Sequence, residues 1–154
     1  MQKISPMLWF DTQAEEAANF YCSIFKDSKM GNVTRFGKDM HMPEGTVWVV
    51  EFYLDGQKYT ALNGGPMFKF SEAISLMVVV DTQEELDHYW NKLIEGSGHP
   101  GQCGWLKDKF GLSWQVVPSQ LDKWMSGPNG AKVMQTLMPM KKLDMAALEA
   151  ASRG

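Results

Sequence analysis

The chain has 154 residues and a net charge of -3, with 21% charged and 44% hydrophobic residues. These values fit one globular domain with a sizeable core and exclude a disordered chain. They leave no basic footprint for nucleic acid, and no window approaches ~18 apolar residues, so no membrane span is expected.

The opening Met1-Gln2-Lys3-Ile4-Ser5-Pro6 leads towards a strand and has no apolar signal-like core, so no secretory signal is expected. Residues 4–10 read as that strand. Asp11 or Thr12 is placed to cap a following helix, with Glu15 and Glu16 favourable near its positive end. Ala14, Ala17, Ala18, Tyr21, Cys22 and Phe25 recur at helical spacing and predict one buried stripe, which Asp27-Ser28 ends. A strand over 29–36 and a polar loop over 37–45 carrying His41 come next. Residues 47–54 and 57–63 read as two strands joined by Asp55-Gly56, a strong hairpin signal. Gly64-Gly65-Pro66 then turns the chain.

A second strand-helix pair follows over 73–80 and 83–95. After it come a glycine-rich stretch over 96–104 and a short hairpin over 105–118 that turns at 108–111. The tail over 119–154 holds three short helical stretches, near 119–125, 131–138 and 144–151, with Asp144 as an N-cap. It is expected to pack on the outside or against a partner subunit.

Asp11-Thr12-Gln13 returns as Asp81-Thr82-Gln83, and each is followed by paired glutamates and then paired aromatics. Self-similarity of this kind fixes architecture before any local reading does. The predicted class is α+β: two tandem β-α-β-β-β modules forming a curved mixed sheet around a cleft, with short C-terminal helices. Module one spans about 3–66, module two about 72–118, and the whole chain 1–154 is read as a single domain. Cys22 and Cys103 form no disulfide framework and fit a reducing cytoplasm. The twelve methionines are read as pliable core filling.

The paired modules resemble the vicinal-oxygen-chelate superfamily of glyoxalase I, bleomycin and fosfomycin resistance proteins and extradiol dioxygenases. Within it, the segments Leu8-Trp9-Phe10-Asp11, Asn63-Gly64-Gly65-Pro66, Gly101-Gln102-Cys103-Gly104-Trp105 and Phe110-Gly111-Leu112-Ser113-Trp114-Gln115 resemble the PhnB-like group. That group carries the label 3-demethylubiquinone-9 3-methyltransferase. The superfamily's enzymes hold a divalent metal with ligands from the first and last strand of each module. Carried over, those positions fall at Pro6, near Asn63, at Ser75 or Leu76, and at Gln115. Proline and leucine offer no ligand atom, and serine and neutral amides are weak ligands for a transition metal. His41 and His99 lie in loops and His88 on a helix. No metal and no cofactor are therefore expected.

Methyl transfer would need a glycine-rich strand-to-helix turn for its cofactor, and both turns here are Asp-Thr-Gln. Cys103 is a nucleophile only with a base in reach, for which His99 is the nearby candidate; otherwise it is a structural thiol. Glu15-Glu16 and Glu84-Glu85 sit in first turns, where the helix dipole accounts for them.

Alternation along the last strand groups Gln115 with Ser113 and Val117 and sends Trp114 beneath a helix. The same rule groups Leu8 and Phe10 with Pro6, and Ala61 with Asn63. The expected ligand-binding cleft is then lined by Pro6, Leu8, Asn63, Phe68, Phe70, Ser75, Ser113 and Gln115. It suits a small, uncharged or aromatic organic ligand bound without metal by a homodimer. A superfamily enzyme, metal-dependent or of methyltransferase type, is the alternative; a purely structural dimer is the third reading.

Overall fold

A computed structural model of the chain describes residues 2–154, and these fall into two compact units that divide after Lys69. The first unit contains strand β1 (Met7–Phe10), helix α1 (Ala14–Ile24), and strands β2 (Lys29–Arg35), β3 (Val47–Leu54) and β4 (Gln57–Asn63). Its sheet has the order β1-β4-β3-β2, with β1 parallel to β4 and the other pairs antiparallel. The β3–β4 hairpin turns through Asp55 and Gly56, both at positive φ (50° and 78°). A tight turn that matches strand twist needs this geometry at both centres.

Helix α1 covers the sheet face that carries Val50, Phe52 and Leu54, all buried, and Tyr21 stacks on Phe52 at 6.2 Å between ring centroids. Tyr59 pairs in register with Phe52 and stacks on it, and burial pushes its phenol above the ordinary value. The buried stripe of α1 is Ala14, Ala17, Ala18, Tyr21 and Ile24. Ile24 takes the place expected of Phe25, and Cys22 is half-buried at the stripe's edge. The expected caps are also corrected: the N-cap position is Gln13, with no side-chain cap of its own. The first N–H of the helix is met by a distant side chain, Asn63.

The second unit repeats the plan. Strand β5 (Ser75–Val80), helix α2 (Gln83–Leu93) and strands β6 (His99–Pro100), β7 (Trp105–Lys107) and β8 (Ser113–Pro118) form a sheet of order β5-β8-β7-β6. That is the order of the first unit, so the repeated tripeptide marks a repeated topology. Here the cap is local, because the Thr82 hydroxyl accepts the Glu85 N–H. Strand β6 lies inside the stretch read as glycine-rich. Helix α2 buries Leu86, Trp90 and Leu93.

The tail forms helices α3 (Leu121–Ser126), α4 (Gly130–Leu137) and α5 (Met145–Ser152), with the Asp144 side chain accepting the Ala147 N–H. It belongs to the second unit and is tied to it by polar bonds. Gln83 donates to the Leu143 carbonyl and accepts from the Met145 N–H, while Cys103 and Gly104 donate their N–H groups to the carbonyls of Met140 and Lys141.

Candidate functional site

The uncovered face of the second sheet carries a cavity. Register places Ser75, Ser113, Lys107 and His99 in one row across the four strands, and Met77, Gln115 and Trp105 in the next. Paired residues point to the same side, so both rows share a face. The residues between them, Leu106, Trp114 and Val116, are buried on the opposite side, which α2 covers. Trp114 is anchored there by its indole N–H, which donates to Asp108 Oδ2 at 2.8 Å. Asp108 is itself buried and accepts the N–H groups of Phe110 and Leu112 through Oδ1. That carboxylate fixes the β7–β8 turn and with it the facing of β8.

A cavity of about 640 Å³ opens on this face, between β6, β7, β8 and the Gly101–Cys103 segment. Ser113 lines it at 1% exposure, and its hydroxyl has no hydrogen-bond partner among the described residues. A buried hydroxyl without a partner loses the free energy of its water contacts and gains nothing in return. On the same face of the sheet, outside the cavity lining, Gln115 Nε2 donates to Ser75 Oγ at 3.0 Å, so these two polar side chains hold each other. Trp105 supplies an aromatic wall. At the rim Lys107 is paired with Glu72, and the ammonium's hydrogen bond holds that carboxyl below the usual glutamate range.

Cys103 also lines the cavity and sits at positive φ (58°). Its thiol lies 3.6 Å from the Met138 carbonyl and 3.9 Å from that of Leu137. Those acceptors belong to the tail and are not bases, so the geometry is that of a structural thiol. His99 lines the same cavity and is exposed.

Of the residues expected to line a ligand cleft, Ser75, Ser113 and Gln115 share one face of the second sheet. Within the first unit, the expected facing of Leu8 and Asn63 is corrected. Leu8 is 5% exposed, pairs with Ala61 and lies beneath α1. Asn63 shares that covered side, with its Oδ1 accepting the Ala14 N–H and its Nδ2 donating to the Val47 carbonyl. Alternation defines two faces of a strand; only the position of the helix decides which one is covered. Pro6 is half-buried ahead of β1, and its carbonyl accepts the Thr60 N–H.

Phe68 is exposed and meets Trp9 edge-on at 4.9 Å, while the Trp9 indole donates to the Gly65 carbonyl. Gly64 makes that placement of Trp9 possible, since a Cβ there would sit 2.4 Å from the indole ring. Phe70 is half-buried in the second unit. Trp105, Lys107 and Glu72 are among the cavity residues that sequence reasoning did not assign. The alternation that grouped Ser113 with Gln115 extends to Trp105 and Lys107 once the β7–β8 register is known.

The positions that correspond to the superfamily's metal ligands do not fit a divalent ion. Pro6 has no side-chain donor, both ends of the Asn63 amide are engaged within its own unit, and Ser75 and Gln115 bond each other. Among the described residues no group of three or more His, Cys, Asp or Glu is placed to hold a metal ion.

Comparison with known proteins is consistent with this architecture. The sequence profile of the family described as 3-demethylubiquinone-9 3-methyltransferase matches residues 2–117. The PhnB protein of Bacillus cereus, which bears the same methyltransferase description, is 35% identical, covers 77% of this chain and 100% of its own, and superposes with a TM-score of 0.70. Protein PA1353 from Pseudomonas aeruginosa shares the fold at 21% identity, covering 77% of this chain and 98% of its own, with a TM-score of 0.63. The fosfomycin resistance protein FosX of Listeria monocytogenes, solved with Mn(II) and sulfate, shares it at 11% identity over 75% of this chain and 90% of its own, with a TM-score of 0.51. Copper resistance protein K of Cupriavidus metallidurans is 43% identical over 51 residues, 33% of this chain. The chain spans about half the length of that curated relative.

Proposed function

The chain belongs to the PhnB-like family described as 3-demethylubiquinone-9 3-methyltransferase, within the glyoxalase and bleomycin resistance superfamily, and from that premise we propose that it binds a small organic molecule without a divalent metal, in the cavity of the second unit. The observation that carries this reading is the cavity itself: about 640 Å³, walled by Trp105 and Leu106, with Ser113 in its lining. The Trp105 wall favours a flat, uncharged or aromatic body. Methyl transfer finds no support in the strand-to-helix turns, Asp11-Thr12-Gln13 and Asp81-Thr82-Gln83, which offer no glycine-rich cradle. Exposed Ile74, Met77 and Val79 on and beside the outer strand β5 support a homodimer, and the free cysteines suit the cytoplasm.

Native mass spectrometry of protein purified without chelators or a nickel column tests the reading directly. The expected spectrum is a dimer that carries an organic adduct, or takes one up from a panel of aromatic compounds, with no stoichiometric divalent metal. A stoichiometric zinc or manganese lost in Gln115→Ala would overturn it.

A second reading concerns copper. The 51-residue likeness to copper resistance protein K supports a copper-handling role for this chain, independent of the cavity. Uptake of monovalent copper by the purified protein is its test, and failure to bind any would end it.

A further inference from the structure

We propose that the loop from Gly37 to Gly45 is a site for one monovalent copper ion, with Met40, His41 and Met42 as its ligands. The proposal rests on the copper reading above and adds the place and the donor atoms.

Three consecutive side chains in this loop end in a thioether, an imidazole and a thioether. Soft sulfur ligands select monovalent copper, and imidazole accepts it as well, whereas zinc and manganese favour thiolate, imidazole or oxygen donors. A site of two thioethers and one neutral imidazole adds no charge of its own, which suits a singly charged ion better than a divalent one.

The loop's construction supports the assignment. Met40 and Met42 are 51% and 39% exposed. Their side chains are open to solvent, as are those of Met67 and Met138, and what sets this pair apart is the histidine between them. The loop is closed at its base by reciprocal bonds between Phe36 and the Gly45–Thr46 segment, and the Arg35 guanidinium donates to the Gly45 carbonyl. Asp39 at φ 60° turns the chain just before the three donors. Within the closed loop the Met40 sulfur is drawn back over the backbone, where it accepts the Gly37 N–H at 3.3 Å. The His41 ring rests edge-on against buried Phe36 at 4.9 Å, which fixes its plane. Closure of this kind lowers the ordering cost that a floppy loop would meet on binding an ion.

The test titrates the full-length protein with Cu(I), kept reduced by ascorbate, against the chromophoric competitor bicinchoninate, using protein labelled with ¹³C at its methionine methyls. Wild type is expected to withdraw one equivalent, and two of the twelve methionine methyl signals should shift. The M40L/M42L variant should lose at least tenfold in affinity and show no shifted methyl. An M134L/M138L control, which alters two exposed tail methionines, should bind as wild type does. If wild type withdraws no copper, both the copper reading and this site fall. If M40L/M42L, still folded by circular dichroism, withdraws copper as well as wild type, copper binding stands and this site falls.

Discussion

Asn63, the last residue of β4, caps a helix that begins 49 positions earlier: its Oδ1 accepts the Ala14 N–H at 2.8 Å. The other end of the same amide donates to the Val47 carbonyl at 3.0 Å. One side chain thus ties β4 to the start of α1 and to β3. Asn63→Ala is expected to destabilise the protein by about 1–3 kcal/mol, from a lost cap and an orphaned backbone carbonyl. Urea unfolding measures this, and a change below a few tenths of a kcal/mol would show that the amide's bonds are replaced by water without loss.

Asp108 is the buried counterpart in the second unit, accepting two backbone N–H groups and the Trp114 indole. Asp108→Asn keeps the shape but turns one acceptor into a donor that faces another donor. A loss of about 1–3 kcal/mol is expected. The red-edge fluorescence of Trp114 should change with it, because its polar neighbour changes sign. Unaltered stability and emission would contradict the role given to this carboxylate.

Much of the fold was legible because its signals are local or periodic. Asp55-Gly56 set the first hairpin to the residue, and the repeated Asp-Thr-Gln marked two copies of one topology. Ser113, Gln115 and Trp114 were assigned their relative facing by alternation alone. What escaped depends on partners distant in sequence. No local signal says that Asn63, and not Asp11 or Thr12, caps α1, and the facing of β1 and β4 was taken from ligand positions rather than from the helix that covers them. Strand β6 is two residues long and pairs with β7, so composition marked only a glycine-rich stretch there. The cavity arises from that pairing, which explains why Trp105 and Lys107 were not assigned to it.

The rim pair makes a prediction about pH. Glu72 is held below the usual glutamate range by the hydrogen bond from Lys107. A carboxyl lowered on folding contributes stability above its unfolded value, and the contribution is lost as pH falls through the lowered, folded one. Both side chains are well exposed, so the contribution to stability is small and salt-screened. The sharper readout is the carboxyl itself: carbon-detected titration should give Glu72 a lower midpoint than an unpaired glutamate, and Lys107→Met should return it to the ordinary range. An unchanged midpoint in Lys107→Met would show that the pair does not persist in solution.

Divalent metals are expected to leave the melting temperature unmoved. A ligand at ~100 times its dissociation constant adds about 2.7 kcal/mol to stability, which a thermal shift reads easily. Pro6 offers no side-chain donor, the Asn63 oxygen already accepts the Ala14 N–H, and Ser75 and Gln115 offer only neutral oxygens, which are weak ligands for a transition metal. A saturable shift with zinc, nickel or manganese that Gln115→Ala abolishes would reverse that conclusion.

Adjacent residues on β8 should respond in opposite ways. Gln115 lies on the cavity side of the sheet, half-buried and, among the described residues, bonded by its side chain to Ser75, so Gln115→Leu should cost the fold little while weakening organic-ligand binding by about 1–3 kcal/mol. Trp114 is 2% exposed beneath α2 and bonded to Asp108. Trp114→Ala leaves a cavity there and should destabilise by ~3–5 kcal/mol. The surviving folded fraction should keep its ligand affinity, since the lost side chain lies across the sheet from the cavity. Unfolding curves and ligand titrations on both variants separate the two effects. Were Trp114→Ala to abolish binding at full stability, or Gln115→Leu to unfold the protein, the ligand would have to sit on the other face of the sheet.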